Sequence, residues 1–252
     1  MQNYKLTISY DGHAFEGFQT QNRPGCRTVQ DELIKVVSKM AKTPVKIVGA
    51  SRTDAGVHAN GQVINFVFPF DLTERAMLMG INSQLPTDIL VKNVEKVQLD
   101  FNARHSSHHK RYLYRVSTSK FVDPFKRFYT GHYFWRLDFD RIQAALPDLL
   151  GEHDFASFAA AGNQTATTVR RITKAELKSV SNDHELLFTF EGNAFLYNQI
   201  RIMVGVLLEI GNGTRPVHDI ERLIQVKDRQ QARFTAPASG LYLDKVYYES
   251  TN

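Results

Sequence analysis

An α+β fold built from two similar halves is what this 252-residue sequence predicts, on three observations. Strand-like and helix-like segments follow one another in the order β-α-β-β-α-β in the first half of the chain. The same order returns in the second half. No Gly/Ser-rich or Pro-rich linker separates the two runs. The order is that of the ferredoxin-like, split βαβ motif. The expectation is therefore two ferredoxin-like domains, residues 1–105 and 106–252, joined side by side with a central cleft between antiparallel sheets. A cleft at such a boundary is a natural binding site.

Each element has its own signal. Tyr4 to Tyr10 alternates apolar and polar residues and stops at the turn pair Asp11-Gly12. Thr28 can cap the helix that follows. Asp31 stands at its third position, as in a capping box, and Val29, Leu33, Val36, Val37 and Met40 form one apolar stripe. Strands at about Val45 to Ala50 and Gln62 to Phe68, a helix from Thr73 to Ser83 and a strand over Ile89 to Glu95 complete the first half. The second half opens with a strand from Arg111 to Thr118. A helix from Asp138 to Leu150 follows, with Phe139, Ile142, Leu146 and Leu149 on one face. Strands over Thr173 to Val180 and Glu185 to Gly192 flank the polar Ser181-Asn182-Asp183. Helices from Ala194 to Ile210 and Asp219 to Gln225 precede a last strand from Leu241 to Tyr248.

Composition narrows the class. With 42% hydrophobic and 23% charged residues the chain can bury one large core or two joined ones. Met1-Gln2-Asn3 runs straight into a strand, with neither a basic start nor an apolar run, so no secretory signal is expected. The most apolar stretch, Met203 to Ile210, is interrupted by Glu209 and is too short to span a bilayer. The single cysteine, Cys26, excludes an intrachain disulfide and a cysteine-rich zinc site, which fits a reducing compartment. The expected location is the cytoplasm, with no membrane partner.

A net charge of +5 attracts polyanions. Arg104, His105, His108, His109, Lys110, Arg111 and Arg115 lie together and are interleaved with Tyr112 and Tyr114. Cations for phosphates beside rings for stacking suit single-stranded or flipped nucleotides, although a solvated strand entrance carries the same pattern. The histidines in this run have no cysteine and no zinc-protease Glu beside them, so no metal is expected. Arg170, Arg171 and Lys174 form a second, weaker basic cluster.

The chemistry concentrates in Ser51-Arg52-Thr53-Asp54-Ala55-Gly56-Val57-His58, between two expected strands. Small Ala55 and Gly56 let a substrate backbone approach, and a nearby cation would keep the Asp54 carboxylate ionised and nucleophilic. Read from the residues alone, Asp54 serves equally well as the former of an Asx-type turn, and His58 as a hydrogen-bonding residue that shapes the loop. Arg201, within an apolar helix, fits a snorkelling surface arginine more often than a buried ion-pair partner.

This octapeptide resembles the G-R-T-D-A-G-V-H hallmark of the TruA-type tRNA pseudouridine synthases, with Ser51 in place of the glycine. The likeness continues along the chain. Tyr10-Asp11-Gly12 and Gly17-Phe18-Gln19-Thr20-Gln21 look like the family's Y-D-G and G-W-Q-x-Q, Phe18 replacing tryptophan. Phe101-Asn102-Ala103-Arg104 and Lys110-Arg111-Tyr112-Leu113-Tyr114 look like F-x-A-R and K-R-Y-x-Y. Asn193 to Leu196, Arg201 to Gly205 and Gly240 to Leu243 match later motifs, with Gln199 standing where methionine is common.

The resemblance implies that Asp54 is the catalytic nucleophile, Tyr112 the ring stacked on the target base and Arg201 the partner of the Asp54 carboxylate. Arg52 would help hold the flipped nucleotide, and Leu241 would supply an apolar wall beneath it. The implied activity is isomerisation of uridine to pseudouridine in the tRNA anticodon stem-loop, at tRNA positions 38 to 40. It needs no cofactor and is carried out by a homodimer spanned by the tRNA. Attack at the sugar's C1′, attack at carbon 6 of the base, or promotion of a glycal all remain open. A non-catalytic RNA-binding module with a stacking sheet is the competing class; it calls for RNP-type aromatic motifs, none of which is evident.

Overall fold

A computed structural model describes residues 1–162, 165–180 and 184–248; the expected turn Ser181-Asn182-Asp183 lies outside the described residues. Two units divide the chain, one made of Met1–His108 together with Tyr242–Asn252, the other of His109–Leu241.

The first unit is organised around β1 (Gln2–Tyr10), which pairs antiparallel with β3 (His58–Phe68) on one side and β4 (Ile89–Val97) on the other. Alternation places Tyr4, Leu6 and Ile8 in the core, all fully buried. Between β1 and β3 come α1 (Val29–Ala41) and β2 (Val48–Gly49), and α2 (Glu74–Asn82) precedes β4. Thr28 does cap α1: its Oγ1 accepts from the Asp31 N–H at 3.2 Å and donates to the Asp31 carboxylate at 2.6 Å. The helix buries Val29, Leu33, Val36, Val37 and Ala41.

The strand expected over Val45 to Ala50 is reduced to β2, because α1 takes up its first backbone groups. Ser38 Oγ accepts from the Val45 N–H at 3.0 Å, and Gln30 Nε2 donates to the Ile47 carbonyl at 2.8 Å.

In the second unit β5 (Ser107–Ser117, from His109 onward) pairs antiparallel with β9 (Glu185–Gly192). β9 pairs with β8 (Val169–Val180), and β8 with β7 (Gly151–Asp154), all antiparallel. A short β6 (Gly131–His132) adds to β5 in parallel. The helices are α3 (Phe139–Ala145), α4 (Gln199–Gly211), α5 (Asp219–Val226) and α6 (Arg229–Ala232).

Two expected helices are shorter than their patterns. The one from Asp138 turns 3-10 at Leu146–Leu149, where Pro147 has no N–H to give. The one from Ala194 starts only at Gln199, because Asn198 is left-handed at φ 59°. β6, β7 and α6, pieces of two to four residues, are absent from the sequence expectation because they are too short to display a period.

The last strand, β10 (Leu241–Tyr248), differs from expectation in its allegiance. From Tyr242 onward it belongs to the first unit and not to a domain spanning 106–252. The cause is pairing with β3: Tyr242 faces His58 and Leu243 faces Ala59, in parallel. Asn60 Nδ2 donates to Asp244 at 3.0 Å, and the Tyr248 hydroxyl donates to the Ala103 carbonyl at 2.8 Å. The coarse class holds, a mixed α/β fold with sheets and several helices. Among the described residues no helix is long and apolar enough to cross a membrane.

Candidate active site

In the first unit the loop from Ala50 to Val57 joins β2 to β3, and it is braced at almost every residue. Ala50 N–H donates to the Val63 carbonyl at 2.8 Å. Gln62, fully buried on β3, accepts from the Ser51 N–H at 3.2 Å and donates to the Ser51 carbonyl at 2.6 Å. The hydroxyls of Tyr10 and Thr53 lie 2.7 Å apart, and the Thr53 carbonyl accepts from the Phe18 N–H at 3.1 Å. Gly17, at φ +105°, passes so close that a Cβ there would stand 2.7 Å from the Thr53 carbonyl oxygen.

Asp54 opens a tight turn. Its backbone carbonyl accepts from the Val57 N–H at 3.1 Å, and Gly56 holds the third position at φ +77°, the left-handed value that a type II turn demands there. The Gly56 N–H goes to the Phe15 carbonyl at 3.2 Å. Backbone groups therefore close the turn, and the half-buried Asp54 is fixed in place by its neighbours.

Ser51 is not among the residues with positive φ, so the glycine usual at that position is not needed here. His58 does shape the loop: buried, it accepts at Nδ1 from the Gly12 N–H at 3.0 Å, and its ring stacks on Tyr242 at 4.7 Å. The motifs near the start of the chain thus have a common purpose. Tyr10, Gly12, Gly17 and Phe18 form the cradle of the Asp54 loop. All four are motif residues whose role the sequence alone does not reveal, and Gln62 carries no motif signal at all. A glutamine opening the apolar run Val63, Ile64, Phe66, with Asn65 inside it, is the available signal.

Arg52 is exposed on this loop. It lies within Coulombic reach of Arg104, whose guanidinium is held below the usual arginine range by burial and then by the Arg52 charge.

The second unit carries Tyr112, Arg201 and Leu241 on elements that are tied to each other. Tyr112 lies on β5, buried at 6% exposure, with its ring edge-on to Phe195 at 5.3 Å. Arg201, half-buried in the first turns of α4, donates from Nε to the Ala236 carbonyl at 2.8 Å and from Nη1 to Asn198 Oδ1 at 2.7 Å. The Ala236 N–H in turn donates to the Arg201 carbonyl at 3.0 Å. One residue on, the Pro237 carbonyl accepts from the Tyr114 hydroxyl of β5 at 2.7 Å. The segment leading into Leu241, itself 6% exposed, is thereby pinned to both α4 and β5. Arg201 is neither a snorkelling side chain nor a free one: its fork is oriented by backbone and amide oxygens.

The residues of the basic run are divided between interior and surface. Tyr114 is fully buried, burial pushing its phenol well above the usual range, and Lys110 is buried too. Both belong to the interior and not to an RNA-stacking surface. Arg115 Nε donates to Glu185 at 2.5 Å, and His109 Nε2 contacts Thr173 Oγ1 at 3.0 Å. Arg104, His105 and His108 are exposed. In the second cluster Arg170 is buried and donates to the carbonyls of Thr167 and Val169, while Arg171 and Lys174 pair with Glu152 and Glu176. Among the described residues the grouping with metal-ligand spacing, Asp148, His218 and Glu221, involves none of the histidines of the run.

Comparison with known proteins matches the sequence to a family. A family model described as tRNA pseudouridine synthase matches residues 6–106 and 145–249. The tRNA pseudouridine synthase A of Oenococcus oeni is 84% identical over 250 residues, 99% of each chain. That of Leuconostoc mesenteroides is 63% identical over 254 residues, covering 98% of this chain and 100% of its own. That of Ligilactobacillus salivarius is 53% identical over 98% of this chain and 97% of its own. Among solved structures, a chain of the archaeal box H/ACA sRNP Nop10-Cbf5 complex is similar over 94% of this chain and 46% of that one. Its 13% identity and TM-score of 0.38 are too distant to bear on the site. A family match across both halves, with full-length relatives at such identity, means that the chain belongs to the tRNA pseudouridine synthase family.

Proposed function

We propose that the protein isomerises uridines of the tRNA anticodon stem-loop, at tRNA positions 38 to 40, to pseudouridine, with Asp54 as the nucleophile. Family membership makes it an isomerase acting on tRNA; the choice of uridines and the residue roles are this reading's own. Tyr112 stacks on the target base, Arg201 partners the carboxylate, Arg52 holds the flipped nucleotide and Leu241 provides an apolar wall.

The reaction breaks the N1–C1′ bond, forms C5–C1′, releases the proton of C5 and delivers one to N1. It is redox-neutral, so the reading calls for no cofactor. The base must be extruded and the cleaved uracil kept from escaping. A single nucleophilic carboxylate suffices, without the second carboxyl group that delivers water in most glycoside hydrolases.

The observation that carries the Asp54 assignment is the bracing of its loop. A carboxylate on a surface turn has no need of backbone anchors from Phe15, Phe18 and Val63 and side-chain anchors from Tyr10 and Gln62. A group that must meet a reacting atom within a fraction of an ångström does. Two ferredoxin-like halves, a cytoplasmic location and a homodimer gripping one tRNA belong to the same reading, the last measurable as twice the chain mass in sedimentation.

The test is a modification map of tRNA incubated with wild type and with Asp54→Asn. The wild type forms pseudouridine, without change of mass, at the anticodon stem-loop; Asp54→Asn retains tRNA binding and forms none. Turnover by Asp54→Asn overturns the nucleophile assignment. Tight binding by the wild type without product after long incubation favours the non-catalytic class.

A further inference from the structure

Two arginines of the first unit, Arg52 and Arg104, are exposed and stand within Coulombic reach of each other. Among the described residues neither has a carboxylate partner, in a unit where Arg27 is held by both Glu32 and Asp88. Their backbones are far from free. Gln62, fully buried on β3, clamps both the N–H and the carbonyl of Ser51, immediately before Arg52.

Three residues along the same strand, Asn65 is 6% exposed. Its Oδ1 accepts from the Ala103 N–H at 2.8 Å, immediately before Arg104, and its Nδ2 donates to the Phe101 carbonyl at 3.1 Å. Asn3, also buried, adds a second amide to the Phe101 carbonyl at 3.0 Å and contacts Asn65 at 3.1 Å. Asn102 Oδ1 then accepts from the N–H groups of Arg104 and His105 at 3.0 and 3.1 Å.

Buried amides are costly unless they are satisfied. Here each strand amide is satisfied by the loop residue that precedes an arginine. Holding two unneutralised guanidinium groups near one another is itself unfavourable, and a bound anion relieves that.

We propose that Arg104 acts with Arg52 as a clamp for RNA backbone phosphate beside the target nucleotide, and that Gln62 and Asn65 are the positioning residues that hold the two arms. Arginine forks suit phosphate oxygens bidentately, and phosphate contacts set the register of a nucleic acid without reading its sequence. The clamp rests on the tRNA-modifying reading above for its ligand.

The test measures binding apart from catalysis. Affinity for an unmodified tRNA transcript is titrated against salt concentration in the Asp54→Asn protein, with Arg104→Gln or Arg104→Lys added. Arg104→Gln is expected to weaken binding about tenfold at low salt and to reduce the slope of log K against log salt by about one. Arg104→Lys keeps the slope and loses part of the affinity. Asn65→Leu, which leaves both arginines in place, should also lower the slope, a change that loss of stability alone does not produce.

An unchanged slope in Arg104→Gln overturns the clamp, and it does so even if the wild type makes pseudouridine normally. A reduced slope in a protein whose wild type makes no pseudouridine keeps the clamp and sinks the catalytic reading.

Discussion

Gly17→Ala tests whether the cradle positions Asp54. At φ +105° an alanine is strained whatever the surrounding space, at a cost of about 1–3 kcal/mol. Its methyl carbon would also stand 2.7 Å from the Thr53 carbonyl oxygen and 3.4 Å from both the Asp54 carbonyl carbon and the Ala55 N. Opening the first contact to ordinary van der Waals range moves the loop by roughly 0.5–1 Å. A displacement of about 1 Å at a reacting group costs up to 100-fold in rate, so turnover at saturating tRNA should fall about 10- to 100-fold.

Gly25→Ala is the control. It too has a positive φ, +76°, but nothing lies within 4 Å of its added carbon, so it should cost about 1–2 kcal/mol with turnover intact. Denaturant midpoints give the stabilities, and pseudouridine formed per folded enzyme gives the rates. Equal loss of stability in the two variants with full turnover in Gly17→Ala would refute the idea that the braced loop sets the position of Asp54.

Further expectations follow from other parts of the structure. Tyr114→Phe leaves the Pro237 carbonyl without its buried donor and should cost about 1–3 kcal/mol, read from urea midpoints. Arg201→Lys cannot reach both Ala236 and Asn198 as the guanidinium does, so turnover should drop while the fold persists by circular dichroism. Arg215→Ala strips a partner from Asp219, which is 5% exposed, and should destabilise by about 3 kcal/mol.

Asp154 gives a pH dependence. Hydrogen bonds from Lys227 and then Thr168 hold its carboxyl below the usual range. A depressed native pKa contributes stability that is complete above the unfolded value of about 4 and is lost as pH falls through the native value. The gap in urea midpoint between wild type and Asp154→Asn should therefore be constant at neutral pH and close below about pH 4. A gap that widens on acidification contradicts the assignment.

The sequence disclosed the elements better than their neighbours. Alternation and capping located β1, α1, β3, α2 and β4 because each carries a period or a polar cap of its own. The allegiance of β10 was hidden, since a strand's pattern records which face is buried but not which strand lies beside it. Motif spelling singles out the loop that carries Asp54, yet the reason for Tyr10, Gly12 and Gly17 appears only once their contacts with Thr53, Val57 and His58 are seen. Tyr114 illustrates the opposite failure. It shares the composition of a stacking surface, but on β5 it alternates inward with Tyr112, and composition carries no direction.

The return of β10 to the first unit bears on how the protein is made. Residues 109–241 separate the main body of that unit from the strand that lies against β3 and supplies the ring under His58. During synthesis the Asp54 loop emerges early but lacks this support until Tyr242 to Tyr248 have cleared the ribosome. A chain released before that point holds every residue of the hallmark octapeptide and an unfinished mount for it. Support for the loop from β10 therefore arrives only after the whole second unit has been made.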